Sequence, residues 1–417
     1  MTNERFFAIL LACANIFQTS RRIKKYMNRT LVRRPEPRKI NPAELIKFIA
    51  RGAKNIFLKN TVLCIATILA IISCFIVKPD AEYKTYFDLK TLSCLFCTLA
   101  VICALKNIKF FTIVARKIVT LAGNTRSLTL ALVYITFIGS MFLANDMALL
   151  TFLPLGYISL SATSKEKYMA PVFILQNVSA NLGGMLTPFG NPQNLYIYTK
   201  FNIPNLEFMG IMAIPFIVSI ILFTVGCLFI PKESLTLDDE VTEKIKVGRA
   251  TFYLILFAVT ILMVFRLIPY YICLPLIFIS VFFADKDALK KVDYPLLLTF
   301  VMFFLLAGNI SRIDAVSAFF SSMLEKSTLL TSVASCQVIS NVPSAILLSE
   351  FTTNYKELLI GVNIGGVGTL ISSLASLITF REFTTHTKGQ TKKYIALFSA
   401  INFGFLIILT TVSLLII

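Results

Sequence analysis

Asn181-Leu182-Gly183-Gly184-Met185-Leu186-Thr187 and Asn363-Ile364-Gly365-Gly366-Val367-Gly368-Thr369 lie in opposite halves of the chain, each inside an apolar run. They share one pattern: Asn, an apolar residue, Gly, Gly, two further residues, Thr. Glycine permits backbone angles that a continuous helix does not use. A hydrocarbon surrounding offers the freed N–H and C=O groups no water, so polar side chains must stand beside such a break. Interruptions at corresponding places in two halves point to a binding site at mid-depth of a membrane. The first break continues as Thr187-Pro188-Phe189-Gly190-Asn191-Pro192-Gln193-Asn194, dense in helix breakers and side-chain amides. With the Gly-Gly pairs in register, Thr187 matches Thr369, Asn191 matches Ser373 and Asn194 matches Ser376. Close helix packing through Gly, Ser and Thr is the structural alternative. The asparagines that recur beside the glycines favour a site.

Composition bounds the class. The 417 residues are 56% hydrophobic and 15% charged, with a mean hydropathy of +0.78. Such a chain is a polytopic membrane protein. Uncharged runs of about the length of a bilayer span recur at Asn60 to Val77, Phe208 to Pro231, Leu267 to Ala284, Tyr294 to Ser311 and Tyr394 to Ile417. Residues 1–60 hold 14 Lys and Arg against Glu4, Glu36 and Glu44, so most of the net charge of +18 precedes the first long run. A basic block beside a membrane reads as a cytoplasmic anchor, with the lipid bilayer as its partner. No aromatic-interleaved platform accompanies it, so no nucleic-acid partner is expected. The short apolar segment Phe6 to Phe17 precedes Arg21, Arg22, Lys24 and Lys25, the reverse of a cleavable signal, and reads as an interfacial helix. The nine cysteines are scattered through apolar segments, and the pair Cys94 and Cys97 has no answering pair, so all read as packing residues.

Lysine and arginine asymmetry threads the topology from a cytoplasmic N-terminus. Thr61 to Val77 leads out and Thr91 to Leu105 returns to a loop with Lys106, Lys109, Arg116, Lys117 and Arg126 and no acid. Ser127 to Thr163 is then uncharged for 37 residues except for Asp146 near its middle. That length is too great for one span, and Asn145-Asp146 is too slight a turn for two, so a re-entrant hairpin with a buried tip is expected. The broken segment Tyr168 to Thr199 crosses outward, and Phe208 to Ile230 comes back. Lys232 to Arg249, with Asp238-Asp239-Glu240, reads as a solvated cytoplasmic linker. In the second half Ala250 to Phe265, Leu267 to Ala284 and Tyr294 to Ser311 are spans, and Asp314 to Glu325 is an external helix. Ser327 to Ser349 forms a second hairpin with its tip at Ser340-Asn341, Leu358 to Phe380 is the second broken helix, and Tyr394 to Ile417 ends outside. The expected fold is therefore all-α: inverted repeats over residues 61–231 and 250–417, joined by a linker at 232–249. It has two re-entrant hairpins, two broken helices and about nine full spans.

Four polar interruptions should converge: the tips at Asn145-Asp146 and Ser340-Asn341, and the breaks after Asn181 and Asn363. Half-helix N-termini offer N–H groups to an anion, while freed carbonyls and asparagine amides offer oxygen to a sodium ion. The expected substrate- and ion-binding set is Asn145, Asp146, Asn181, Gly183, Gly184, Thr187, Asn191, Asn194, Ser340, Asn341, Asn363, Gly365, Gly366, Thr369 and Ser373, with sodium near Asn145, Asp146 and Asn341. Asp146 is the one carboxylate within the long intramembrane runs, and its equivalent at the second tip is Val342. An ionisable group at that depth is a functional candidate, here for sodium or a proton. A surface aspartate on a cytoplasmic turn is the alternative. His386, the only histidine, falls in the basic loop after Phe380 and reads as solvated. Neither residue has the partners that a nucleophile, a base or a metal set would need, so no enzyme and no cofactor beyond a coupling ion are expected.

Ala144-Asn145-Asp146-Met147-Ala148-Leu149-Leu150-Thr151-Phe152, Asn181 to Asn194, Ser340-Asn341-Val342-Pro343 and Asn363 to Ser376 together resemble the ion transporter superfamily. That group holds divalent anion/sodium symporters, citrate/metal symporters, and arsenite and sodium/proton permeases. The resemblance covers roughly Thr61 to Ile417. It implies a homodimer in the plasma (inner) membrane, with a scaffold domain and a moving transport domain, and a small organic or inorganic anion carried with sodium or protons. It also implies that Asn145 and Asn341 touch substrate and ions, and that the two glycine breaks complete two cation sites. Dicarboxylate symporters of the group carry Ser-Asn-Thr at both tips. The tips here depart from that, and the Asn-Asp tip is nearer to the arsenite and cation-exchange branches. Cation/proton exchange and arsenite-type efflux are therefore the alternative expectations.

Overall fold

The computed structural model describes residues 60–235 and 245–416. Among these no strand forms, and one isolated bridge joins Asn124 and Ser234. The helices are α1 (Thr61–Ile76), α2 (Leu89–Asn107), α3 (Phe110–Val119), α4 (Thr125–Leu143), α5 (Asn145–Ala162), α6 (Met169–Gly183), α7 (Pro192–Lys200), α8 (Asn205–Leu228) and α9 (Val247–Val264). They continue as α10 (Tyr270–Ala284), α11 (Lys286–Lys290), α12 (Tyr294–Ser311), α13 (Asp314–Lys326), α14 (Thr328–Ile339), α15 (Asn341–Leu348), α16 (Tyr355–Ile364), α17 (Leu374–His386) and α18 (Thr391–Ile416). By length and composition six helical segments among the described residues could cross a bilayer. The basic N-terminal block, with the Phe6 to Phe17 segment, and Asp238-Asp239-Glu240 lie outside the described residues.

Two compact units form. One comprises the described residues up to Phe87 with Asp293–Asn309. Within it α1 buries a small-residue stripe, Ala66, Ala70 and Ser73, and Asn309 Nδ2 donates to Ser73 Oγ at 2.9 Å. Gly308 lets the Tyr86 ring approach so closely that a Cβ there would stand 2.5 Å from it.

The other unit comprises Asp88–Val292 and Ile310 onward. At its centre is α6, where 13 of 15 residues are buried, so the whole circumference of this helix is covered. The peripheral helices bury one face each. On α8 that face is Phe208, Met212, Pro215, Ser219, Phe223 and Cys227, and on α10 it is Cys273, Ile277 and Val281. Their outer faces remain apolar, with Ile217 and Ile221 each 55% exposed. A shell that is apolar outside as well as inside suits lipid rather than water.

Both uncharged stretches fold as helical hairpins that turn on a single residue. Ala144 (φ 60, ψ 150) separates α4 from α5, and Ser340 (φ 75, ψ 160) separates α14 from α15. Residues with a side chain rarely hold these angles, at roughly 1–3 kcal/mol each, so the same unusual corner recurs at both tips. The broken helices also form. α6 ends at Gly183, a short turn covers Gly184–Leu186, and α7 starts at Pro192 behind the extended Asn191. α16 ends at Ile364, and α17 starts behind the extended Ser373.

Three expectations need correction. The basic stretch Lys106 to Arg126 is not a plain loop, because α3 forms there and buries Ile113, Ala115 and Val119. His386 is not in a solvated loop. α17 runs on to it, its ring stacks on Tyr157 at a centroid distance of 3.5 Å, and Nε2 lies 3.2 Å from Glu382. The linker is not a free connector at its start. Thr125 N–H donates to Glu233 O at 2.9 Å and Leu235 N–H to Gly123 O at 3.2 Å, which ties the segment across the base of the first hairpin.

The Glu233 carboxylate closes that clasp. It accepts from Lys165 and Lys167, each at 2.6 Å, and from Tyr168 Oη. These donors favour the charged form and hold its pKa at about 2, against an ordinary 4.5. A depressed carboxylate contributes stability above its ordinary pKa and loses it as pH falls through the folded value. Glu233→Gln is therefore expected to lower the thermal midpoint at neutral pH. The gap to wild type should close as pH falls from about 4.5 towards about 2, read by thermal unfolding in detergent. A gap that stays constant with pH would remove the carboxylate from this role.

Candidate functional site

The second unit contains both tips and both breaks; asparagine amides join the first tip to the two breaks, and bonds to Ser372 O join the second tip to the second break. At the first tip Asn145 Oδ1 accepts from Asp146 N–H at 2.9 Å, which orients the side chain, and Nδ2 donates to Asn181 Oδ1 at 3.1 Å. At the second tip Asn341 Oδ1 accepts from Val342 N–H at the same 2.9 Å. A Cβ built on Gly366 would stand 3.1 Å from Asn341 Nδ2 and 3.6 Å from Asn181 Oδ1. The second tip and both breaks thus meet over one glycine, with the first tip one hydrogen bond away through Asn181, and only a residue without a side chain leaves that space to the amides. Asn145, Asn181, Asn341 and Asn363 are all at most 5% exposed.

The first break is closed by its own outgoing helix. Asn194 Nδ2, on α7, donates to the carbonyls of Gly184, Met185 and Thr187 at 3.0 to 3.2 Å. Its Oδ1 is then the acceptor for Asn363 Nδ2, at 2.6 Å. Asn363 Oδ1 in turn accepts from Asn191 Nδ2 at 3.4 Å. The carbonyls at the end of this chain fix every amide's orientation, because they can only accept. Asn191 also bonds the carbonyl of Asn181 at 3.4 Å, and its own Oδ1, like Gln193 Oε1, is buried with no hydrogen-bond partner.

Several contacts recur at equivalent positions in the two halves. Asn181 Nδ2 donates back to Asn177 O at 3.0 Å, and Asn363 Nδ2 to Leu359 O at 2.8 Å, each four residues earlier. Thr187 Oγ1 donates to Met141 O at 3.4 Å, and Thr369 Oγ1 to Gln337 O at 3.1 Å. A Cβ on Gly183 would meet Ser140 Oγ at 2.3 Å, and one on Gly365 would meet Cys336 Cβ at 2.9 Å. Each hairpin therefore presses its last turn on the first glycine of its partner break. Ser373 caps α17 by accepting from Ser376 N–H at 3.2 Å, and Ser376 Oγ accepts from Asn177 Nδ2 at 3.3 Å.

The structure thus gathers Asn145, Asn181, Gly184, Asn191, Asn194, Asn341, Asn363 and Gly366 into one network. Gly183, Gly365, Thr187 and Thr369 stand where the hairpins press on the breaks. Ser340 Oγ reaches Ser372 O at 3.2 Å. Ser373 joins through Ser376, and Asp146 lies half-buried on the first turn of α5, next to Asn145. Sequence reasoning passed over Gln337, Asn177 and Ser372. Asn177 lies one helical turn before Asn181 on α6, a spacing that places both on one helix face, whereas Gln337 stands on α14 ahead of the corner at Ser340 and no helical spacing ties it to Asn341. Among the described residues no three His, Cys, Asp or Glu side chains cluster as a metal set. Amide and backbone oxygens, with the Asp146 carboxylate beside the first tip, are what this site can offer a hard cation, and amide N–H groups what it can offer an anion.

Comparison with known proteins gives the family. Residues 46–356 match the family model described as a citrate transporter. An uncharacterized transporter of Methanocaldococcus jannaschii is 34% identical over 302 residues, covering 72% of this chain and 81% of the relative. The inner membrane protein YbiR of Escherichia coli is 29% identical over 281 residues, covering 65% and 74%. The family match ends before the second break, so the repeated contacts are what bring Asn363 to Ser376 into the same site. With three quarters of its length matched, this helical, lipid-suited chain belongs to the citrate transporter family.

Proposed function

We propose that the chain is a secondary active carrier that moves a small organic or inorganic anion with sodium or protons by alternating access. One observation carries the reading: asparagine amides link the first tip to both breaks, and Ser372 joins the second tip to the second break, so all four interruptions belong to one hydrogen-bonded cluster. Such a site can surround an anion with N–H groups and a sodium ion with amide oxygens, in a place that water does not reach. In this reading the hairpins are re-entrant, the halves are inverted repeats, and α1 and α10 complete about nine spans, somewhat thinned or flanked where they are short. The N-terminus is then cytoplasmic and the C-terminus external in the plasma (inner) membrane, and two copies form the working dimer. The buried acceptors Asn191 Oδ1 and Gln193 Oε1 support a cation or donor-bearing ligand on the first side, where Asp146 adds the one carboxylate.

The Asn145-Asp146 tip also supports a second reading, a cation/proton antiporter or arsenite-type efflux permease, in which Asp146 alternates between sodium and a proton.

Uptake into proteoliposomes separates these readings. A panel of anions, citrate among them, is expected to include one whose uptake rises under an inward sodium or proton gradient, whereas uptake indifferent to both gradients would dismiss coupling. Asp146→Asn should keep anion binding and lose the response to pH or sodium; a variant that behaves as wild type would take Asp146 out of the mechanism. Gly184→Ala would place a methyl 2.4 Å from Asn191 Oδ1. It is expected to cut uptake about tenfold or more, the scale of one lost buried hydrogen bond. Gly210→Ala on α8, with open space around it, should transport normally.

A further inference from the structure

We propose that Gln337 is a positioning residue of this site: it latches the second tip to the second break, so that the first tip is the one that yields to a ligand. Gln337 is on the last turn of α14. Its Nε2 donates to Gly365 O at 2.9 Å, to Val367 O at 3.2 Å and to Val333 O, one turn back, at 3.2 Å. Its Oε1 accepts from Thr369 N–H at 2.8 Å. Carbonyls only accept and the Thr369 N–H only donates, so the side-chain amide has one orientation and both ends are engaged.

The backbone of the break is moulded to this side chain. Gly368 has φ +131, and a Cβ there would stand 2.2 Å from Gln337 Oε1, so a residue with a side chain would be strained and would also strike the amide. Two more bonds close the same seam. Asn341 N–H donates to Ser372 O at 3.0 Å and Ser340 Oγ to the same oxygen at 3.2 Å. Hairpin and break are therefore sewn together through backbone groups as well as side chains, in surroundings where each such bond is strong.

The first half has a different residue at this place. The hydroxyls of Thr187 and Thr369 mark Met141 and Gln337 as equivalents, since each donates to the carbonyl at that position. A thioether has no N–H to donate and accepts weakly. The carbonyls of the first break are held instead by Asn194, from α7, so that closure ties the break to its outgoing helix and not to the hairpin. On the first side the joining bonds come from side chains, Asn145 to Asn181 at 3.1 Å and Thr187 to Met141 O at 3.4 Å. That the yielding tip admits a ligand rests on the carrier reading; the unequal holding of the tips does not.

Hydrogen–deuterium exchange followed by mass spectrometry, on the full chain in detergent and corrected for intrinsic rates, tests the latch. Peptides covering Ser340-Asn341 and Thr369 to Ser372 are expected to exchange about tenfold more slowly than those covering Ala144-Asn145 and Thr187 to Gly190, the scale of one strong extra closing bond. Gln337→Met, which installs the first half's residue, should speed the second set by a similar factor and leave the first set unchanged. Gly368→Ala should do the same from the backbone side, and it decides the matter alone if the methionine variant does not fold. Equal exchange at the two tips of the wild type, or a second set unmoved by the variant that folds, overturns the latch. A latched second tip in a protein that takes up no anion into vesicles upholds the latch and fails the carrier reading.

Discussion

A helix interrupted where no water can reach must find partners for its freed backbone groups among its own side chains. Everything in the second unit follows from meeting that demand twice. The carboxamide is suited to it because one group both donates and accepts without carrying charge. Asn194 and Gln337 use their NH2 ends on carbonyls of the two breaks, and their oxygens then take a bond from elsewhere in the network. The fold thus leaves a polar interior in an apolar shell at modest electrostatic cost.

The halves are alike in contacts more than in residues. A serine in one and a cysteine in the other lie against the first glycine of the break, and each threonine three residues after the glycine pair finds the same hairpin carbonyl. At the start of the outgoing half-helix, Asn191 faces the interior in one half and Ser373 in the other, and both hold extended backbone. What is repeated is a set of places where a bond must be made, and different chemistry fills some of them.

Much of this was legible in the sequence because the signals were local. A 37-residue uncharged stretch with a polar centre can only be a hairpin or two spans, and the corners fell beside Asn145 and Asn341. Pro192 behind Asn191 marked the restart of the first broken helix. The parts that stayed hidden depend on contacts made across the chain. Nothing near Glu233 announces that Lys165, Lys167 and Tyr168 converge on it. His386 looks like a loop residue until Tyr157, from the other half, supplies a ring to stack on. Gln337 passes for an ordinary polar residue on a helix until Gly368 is seen to fold around it.

The bonds between Asn194 and Asn363 and between Asn191 and Asn363 join residues 169 and 172 positions apart. At a synthesis rate of roughly 5–20 residues per second, the earlier member of each pair waits on the order of ten to thirty seconds for the later one to leave the ribosome. During biogenesis the leading half must therefore remain at the insertion machinery, or keep some hydration in its cleft, because its amides cannot be left bare in lipid. A newborn chain of this kind is most vulnerable to quality-control proteolysis in that interval, before its second half has arrived.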